Sequence, residues 1–139
     1  MREIVDSTAF EKPVLFTSAI DLLASTAPFD SFELGRIVRS VQFQMDQNTC
    51  LFCIENGRMG GYLGWILTSN EIVEEWRTNS GTLRPDPAAQ VIVVTILAVS
   101  SPDMIMPLIR KAKTRAGGRP VHWKRLSKEG ITEALRSVP

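Results

Sequence analysis

The chain carries a single histidine, a single tyrosine and two cysteines among its 139 residues. One histidine leaves no histidine pair to hold a metal ion, and no Cys/His/Asp/Glu cluster has ligand spacing. No apolar h-region follows Met1-Arg2-Glu3-Ile4-Val5-Asp6, so no secretory signal is visible and the two thiols point to a reducing cytoplasm. Charge of one sign is also lacking. Sixteen Lys+Arg face fifteen Asp+Glu, and a net charge of +1 argues against a dedicated nucleic-acid binder. No apolar run reaches the roughly 18 residues that would span a bilayer. What is abundant is apolar residues, at 44%. That fraction excludes a disordered chain and suffices for a real core in one domain over residues 1–139.

Hydrophobic spacing organises the chain. Residues 14–25 place Leu15, Ala19, Leu22 and Leu23 on one helical face, and Thr26-Ala27-Pro28 should end that helix. Asp30 or Ser31 offers an N-cap for a second helix, in which Leu34, Ile37, Val38 and Val41 recur at helical spacing to about Gln47. Residues 49–55 and 58–67 read as strands joined by Asn56-Gly57, the dipeptide that a type I′ hairpin turn requires. Gly60-Gly61 inside the second strand marks a bulge or a close backbone approach. Thr68-Ser69-Asn70-Glu71 has capping-box spacing for a short helix to about Thr78, and residues 79–88 form a loop.

Residues 90–99 (QVIVVTILAV) are almost wholly apolar and β-branched, the signature of a central strand covered on both faces. Ser100 or Ser101 can cap the next helix, with Pro102 at its first position and Asp103 favourable to its dipole. Basic residues crowd its far end and Gly117-Gly118 stops it. A last strand over residues 120–126 precedes an expected C-terminal helix that opens at Ser127 and carries Ile131, Ala134 and Leu135. The order α-α-β-β-α-β-α-β-α implies an α+β fold, an α/β/α sandwich with a mixed, mainly antiparallel sheet and helices on both faces.

This order resembles the GNAT acyltransferase fold. Within it, three segments resemble the RTX-toxin-activating lysine acyltransferases. They are Ala24-Ser25-Thr26-Ala27-Pro28-Phe29, the stretch from Cys50 to Ile66 with Gly61-Tyr62 and Gly64-Trp65-Ile66, and Glu75-Trp76. The resemblance spans roughly residues 14–126 and is one of pattern. It implies transfer of a fatty acyl group from an acyl carrier protein, or from acyl-coenzyme A, to a lysine of a protoxin-like protein, with no permanently bound cofactor. The family's histidine position falls at or beside Asp30, and its aspartate position falls near Val94 or Thr95. Both depart from the family pattern. A carboxylate with an ordinary pKa of about 3.9 is a poorer base at neutral pH than histidine, and Val94 has no proton chemistry.

Several residues invite a chemical role beside a bland one. Asp30 is the candidate base. His122, alternating with Val121 and Trp123 on the last strand, is the candidate proton donor for a leaving thiolate, or else a half-exposed strand histidine. Tyr62 is a second conceivable donor or a packed aromatic. Cys50 and Cys53 form a C-x-x-C whose side chains a strand would send to opposite faces, unlike redox pairs at helix N-termini. Ser100-Ser101-Pro102-Asp103 lies where GNAT enzymes place a glycine-rich phosphate loop, and Val99, Ser100 and Ser101 are the candidate donor-binding residues. No Gly-x-Gly/Ala motif is present, Asp103 would repel a phosphate there, and only backbone groups remain for a pantetheine arm. Arg110, Lys111, Lys113, Arg115, Arg119, Lys124 and Arg125 could receive an acidic carrier protein or form a solvated helix end. The first helix is apolar enough to pack on the sheet or on a second subunit in a homodimer.

Three functions follow as expectations: acyl transfer of the toxin-activating type, a catalytically inactive GNAT-fold binding module, and an acetyl-coenzyme A N-acetyltransferase. Neither nucleic acid nor membrane is an expected partner. A central strand splayed from its neighbour beside Asp30 and His122 would favour transfer, because an acyl-thioester arm needs such a slot.

Overall fold

Six strands form one sheet in the order of the sequence, β1 (Arg2–Asp6), β2 (Cys50–Glu55), β3 (Arg58–Thr68), β4 (Val91–Val99), β5 (Val121–Ser127) and β6 (Gly130–Val138). All neighbours pair antiparallel except β4 and β5, which run parallel. The computed structural model describes the backbone of residues 1–127 and 130–138 and the side chains of residues 1–123. Four α-helices accompany the sheet among the described residues: α1 (Lys12–Ala24), α2 (Leu34–Gln47), α3 (Asn70–Arg77) and α4 (Ile105–Arg115).

Local chemistry explains most of these elements. Asn56 and Gly57 hold φ of 53° and 76°, the left-handed pair that a type I′ turn demands, and they close the β2–β3 hairpin. Cys53 pairs with Gly61 and Ile54 with Met59, so Gly60 is the extra residue of the expected bulge. Ser69 caps α3 by accepting the Ile72 N–H at 3.2 Å. The cap thus lies one residue beyond the Thr68 that the capping-box spacing suggests. Thr68 instead donates its hydroxyl to Arg84 O at 2.6 Å and anchors the loop that follows α3. Gly117 and Gly118, with φ of 63° and 87°, turn the chain away after α4.

Two cores flank the sheet. On one face α1 and α2 pack Leu15, Ala19, Leu23 and Val41 against Phe52, Tyr62 and Ile96. On the other face α4 packs Leu108, Ile109 and Ala112 against Leu51, Leu63, Trp65 and Val94. Each fully buried Leu, Ile, Val or Phe among these contributes about 1.5–3 kcal/mol. Cys50 belongs to the first core and Cys53 to the second, as strand alternation requires.

Three local expectations need correction. The N-terminal leader is a strand, because β1 satisfies the open edge of β2, with Ile4 opposite Cys53 and the Arg2 guanidinium 2.6 Å from the Glu55 carboxylate. The second helix is capped at Glu33, since Asp30 and Ser31 are used up in a short 3₁₀ turn over Phe29–Ser31. The expected C-terminal helix at Ile131, Ala134 and Leu135 is strand β6, whose backbone pairs antiparallel with β5. Sheet pairing there overrides the helical spacing. The side chains of those three residues, and of Lys124 and Arg125, lie outside the described ones.

Candidate functional site at the β4 bulge

β4 is buried on both faces but not regular along its length. Gly64 of β3 pairs with Ile96, yet the next residue, Trp65, pairs with Val94. Thr95 is therefore an extra residue, a β-bulge that bends the strand and takes a backbone group off the ladder. The parallel pairing with β5 covers Ile92 with Val121, Val93 with His122 and Val94 with Trp123, and it ends there among the described residues. Residues 95–99 keep β3 on one side only. The two strands part where the bulge begins.

A cavity of about 720 Å³ opens at this point on the α2 face of the sheet. Val94, Thr95 and Ile96 all line it, three consecutive residues that a regular strand would send to alternating faces. Its walls are Phe29, Phe32 and Phe43 with Trp76 and Leu83, and Arg36 and Arg39 of α2 are its only charged lining residues among those described.

A buried polar chain fixes the floor. The Tyr62 hydroxyl donates to Gln44 Oε1 at 2.5 Å, and Gln44 Nε2 donates to Thr95 Oγ1 at 2.7 Å. Thr95 Oγ1 in turn donates to Gly64 O at 3.4 Å. Gly64 has to be glycine here, since a Cβ would overlap the Gln44 amide. Gln44 and Thr95 both line the cavity and Tyr62 does not; Thr95 is half-buried where Gln44 is buried, so it is the more exposed member. Burial holds the Tyr62 phenol well above its ordinary pKa, and it packs edge-on against Phe52. Tyr62 is thus a packed, hydrogen-bonded aromatic. The nearby Cys50 thiol is likewise pushed up to about 12 by burial.

The residues singled out in the sequence are only partly gathered here. Thr95, beside the family's aspartate position, is at the centre. Asp30 is exposed in the 3₁₀ turn; its neighbours Phe29 and Phe32 line the cavity and it does not. His122 lies opposite Val93 in the paired stretch, half-buried, and is not a lining residue. Its Nδ1 is buried without a hydrogen-bond partner. Burial, with the charge of Arg77 adding to it, holds the imidazole below its ordinary pKa.

Val99, Ser100 and Ser101 leave β4 at the far end of the gap. Val99 pairs with Gly61, and the Ser100 N–H donates to Gly60 O at 2.7 Å. The Ser101 hydroxyl donates to the Asp103 carboxylate, whose other oxygen is 3.1 Å from an Arg2 nitrogen. The Ser101 hydrogen bond, followed by Arg2, holds the Asp103 carboxyl below its ordinary pKa. The turn ahead of α4 therefore carries its own anion.

On α4, Arg110, Lys111 and Lys113 are exposed, whereas Arg115 stacks over Trp65 at 5.6 Å and pairs with Asp6 at 3.7 Å. Arg119 is bound to Ala89 O at 2.6 Å. Sequence reasoning missed Gln44, Arg36 and Arg39. Gln44 gave one signal, a polar residue three positions from Val41 on an otherwise apolar helical face. No group of three or more His, Cys, Asp or Glu could hold a metal ion among the described residues, and no described helix is long and apolar enough to cross a membrane.

No protein-family model matches the chain and no curated protein matches it. Solved structures do match. A GNAT-like decarboxylase, GphF, in complex with isobutyryl-CoA superposes with a TM-score of 0.68 at 15% identity, over 91% of this chain and 67% of that one. A GNAT family acetyltransferase from Brucella melitensis in complex with acetyl-CoA gives 0.60 at 10% identity, over 99% of this chain and 87% of the other. An aminoglycoside 6'-acetyltransferase type Ii gives 0.58 at 15% identity, over 89% and 70%. The likeness is one of fold, and the fold is GNAT-like.

Proposed function

We propose that the chain binds an acyl thioester of the coenzyme A type in the gap between β4 and β5 and passes its acyl group to an acceptor in the adjoining cavity. The observation that carries this is the coincidence of three features at two adjacent residues. The β4–β5 pairing stops at Val94, the strand bulges at Thr95, and the cavity opens on that bulge. A pantetheine arm has two amides and can add to a free strand edge as an extended peptide does. Residues 95–99 present such an edge. A backbone N–H released by a bulge is also the type of fixed donor that stabilises the oxyanion of acyl transfer. Neighbours of this fold were solved with isobutyryl-CoA and acetyl-CoA bound, which supports the same class of donor here.

The finer expectations divide. A carrier-protein donor fits the exposed Arg110, Lys111 and Lys113 and asks nothing of the Asp103 turn. Coenzyme A would have to bring its diphosphate near that carboxylate. A protein lysine as acceptor finds less support, because the charged lining of the cavity is cationic. His122 stands at the closed end of the gap, one residue before the last pair, where a departing thiolate would need a proton.

Calorimetry with acetyl-CoA, isobutyryl-CoA and an acyl-acyl carrier protein, followed by thiol-release assays, tests the proposal. Micromolar binding of one donor is expected, and binding of none would overturn it. The second reading is a binding module without turnover, and one observation favours it: apart from two arginines, no titratable group lines the cavity among the described residues. Binding without thiol release in the presence of any acceptor selects it.

A further inference from the structure

The charge of the cavity selects its occupant. Its walls are aromatic and aliphatic, from Phe29, Phe32, Phe43 and Trp76, and Arg36 and Arg39 supply its whole formal charge among the described residues. Neither arginine is within ion-pair distance of a carboxylate among those residues. The nearest acids along the chain, Asp30 and Glu33, are exposed and do not line the cavity. Arg36 is held over the Phe32 ring at 5.2 Å, which points its guanidinium along the cavity wall at little entropic cost. Three residues apart on α2, the two side chains lie on one helical face.

Two guanidinium groups without acidic partners, above an apolar chamber, suit one kind of molecule. We infer that the cavity is a binding site for an apolar monocarboxylate, an aryl or branched-chain acid. Its carboxylate lies between Arg36 and Arg39 and its hydrocarbon body among the phenylalanines, directed toward Thr95. The volume of about 720 Å³ falls within the range of about 300–1,000 Å³ typical of small-molecule sites. An ammonium compound of the same shape would meet two like charges and no counter-charge, which is a means of rejecting it. The inference goes beyond the reading above: such an acid carries no amine or hydroxyl to take the acyl group, so it is a ligand of the cavity and not the acceptor, and its binding does not require that a thioester be bound.

The test is titration of the full-length protein, without any thioester, with phenylacetate, 4-phenylbutyrate and indole-3-acetate against phenethylamine and tryptamine. Calorimetry gives the readout for every probe, and tryptophan fluorescence gives a second one for the phenyl compounds, since Trp76 lines the cavity. At least one acid should bind at least tenfold tighter than its amine counterpart. The affinity should fall as salt rises and drop at least tenfold in Arg36→Ala/Arg39→Ala. Both positions are exposed, so this variant should keep its circular-dichroism spectrum and melting point. Arg36→Lys/Arg39→Lys should retain part of the affinity, since charge survives and the bidentate fork does not. Amines binding as well as acids, acid affinity indifferent to the arginine pair, or no binding of any probe would each overturn it. Coenzyme A thioester binding is measured separately on the same variants. In the parent, acid binding without thioester binding counts against the proposed function alone, and thioester binding without acid binding counts against this site alone; in Arg36→Ala/Arg39→Ala thioester binding should persist while acid binding falls.

Discussion

Gln44 reaches from α2 to the bulged residue of β4, its side-chain N–H donating to the Thr95 hydroxyl at 2.7 Å while its carbonyl oxygen accepts from Tyr62. The Thr95 hydroxyl donates to Gly64 O, so its oxygen accepts from the amide nitrogen and the amide oxygen is left to the Tyr62 O–H, which gives the amide one orientation. A helix, the hairpin and the central strand are tied together at the point where the cavity opens.

Removing that amide should be costly. In Gln44→Leu the Tyr62 hydroxyl keeps its burial and loses its acceptor, an effect of about 1–3 kcal/mol. Adding Tyr62→Phe should return part of the loss, since both ends of the bond are then apolar. Urea unfolding of the two single variants and the double variant measures the coupling. A Gln44→Leu protein as stable as the parent would mean the chain of hydrogen bonds stabilises nothing.

Gly64 is the second constraint on the same amide. A Cβ there overlaps Gln44, so Gly64→Ala should destabilise by about 1–3 kcal/mol, as overpacking of a buried site does. In a Gln44→Ala background the added methyl has room, and the penalty should shrink by half or more. Equal penalties in both backgrounds would place the clash elsewhere.

Much of this arrangement was legible in the sequence, and the remainder was hidden for identifiable reasons. The hairpin, its Gly60 bulge, the two-sided central strand and the stop at Gly117-Gly118 come from local backbone chemistry, so the residues announce them. Thr95 was half legible. A family position pointed near it, but in a strand buried on both faces the alternation that would betray a bulge is erased. β1 and β6 are edge strands whose existence depends on hydrogen bonds to β2 and β5. Nothing in Arg2–Asp6 or Gly130–Val138 alone demands it. Arg36 and Arg39 read as a solvated helix face because sequence shows charge without showing what stands opposite. Asp30 and His122 were chosen for their chemistry, and the fold leaves both outside the cavity lining.

His122 should leave a mark on stability rather than on the cavity. Burial, aided by Arg77, depresses its native pKa. Near and below the unfolded value of about 6.5 the unfolded chain takes up a proton that the native state declines. More protons on the unfolded state means stability rises with pH in that window. The contribution is complete above it, declines as pH falls through the unfolded value, and levels off below the native one. The lowered carboxyls of Asp6 and Asp103 act in a different range, since their stabilisation is lost only as pH falls below the ordinary carboxylate value of about 3.9. Melting temperatures between pH 7.5 and 5 should therefore decline less in His122→Gln than in the parent. Parallel declines would show that His122 titrates alike in both states.

The last prediction concerns the anion built into the turn before α4. Asp103 accepts from the Ser101 hydroxyl and pairs with Arg2 at 3.1 Å, contacts that lower the pKa of a carboxyl already ionised at neutral pH. A coenzyme A diphosphate placed at this helix start would meet that charge before it met any backbone N–H, whereas a pantetheine arm lying on residues 95–99 would not. Asp103→Asn removes the charge, keeps a hydrogen-bonding side chain of the same shape, and leaves Arg2 paired with Glu55 alone. Affinity for coenzyme A should rise roughly three- to tenfold at low salt, with the gain fading as ionic strength increases. Affinity for acetyl-pantetheine should stay within about twofold, because that ligand ends before the turn. Calorimetry with the two ligands on parent and variant separates the outcomes. An equal change for both would mean the Asp103 turn acts through the strand and not on a diphosphate. A weaker grip on coenzyme A would mean that Asp103 and Arg2 together hold the donor.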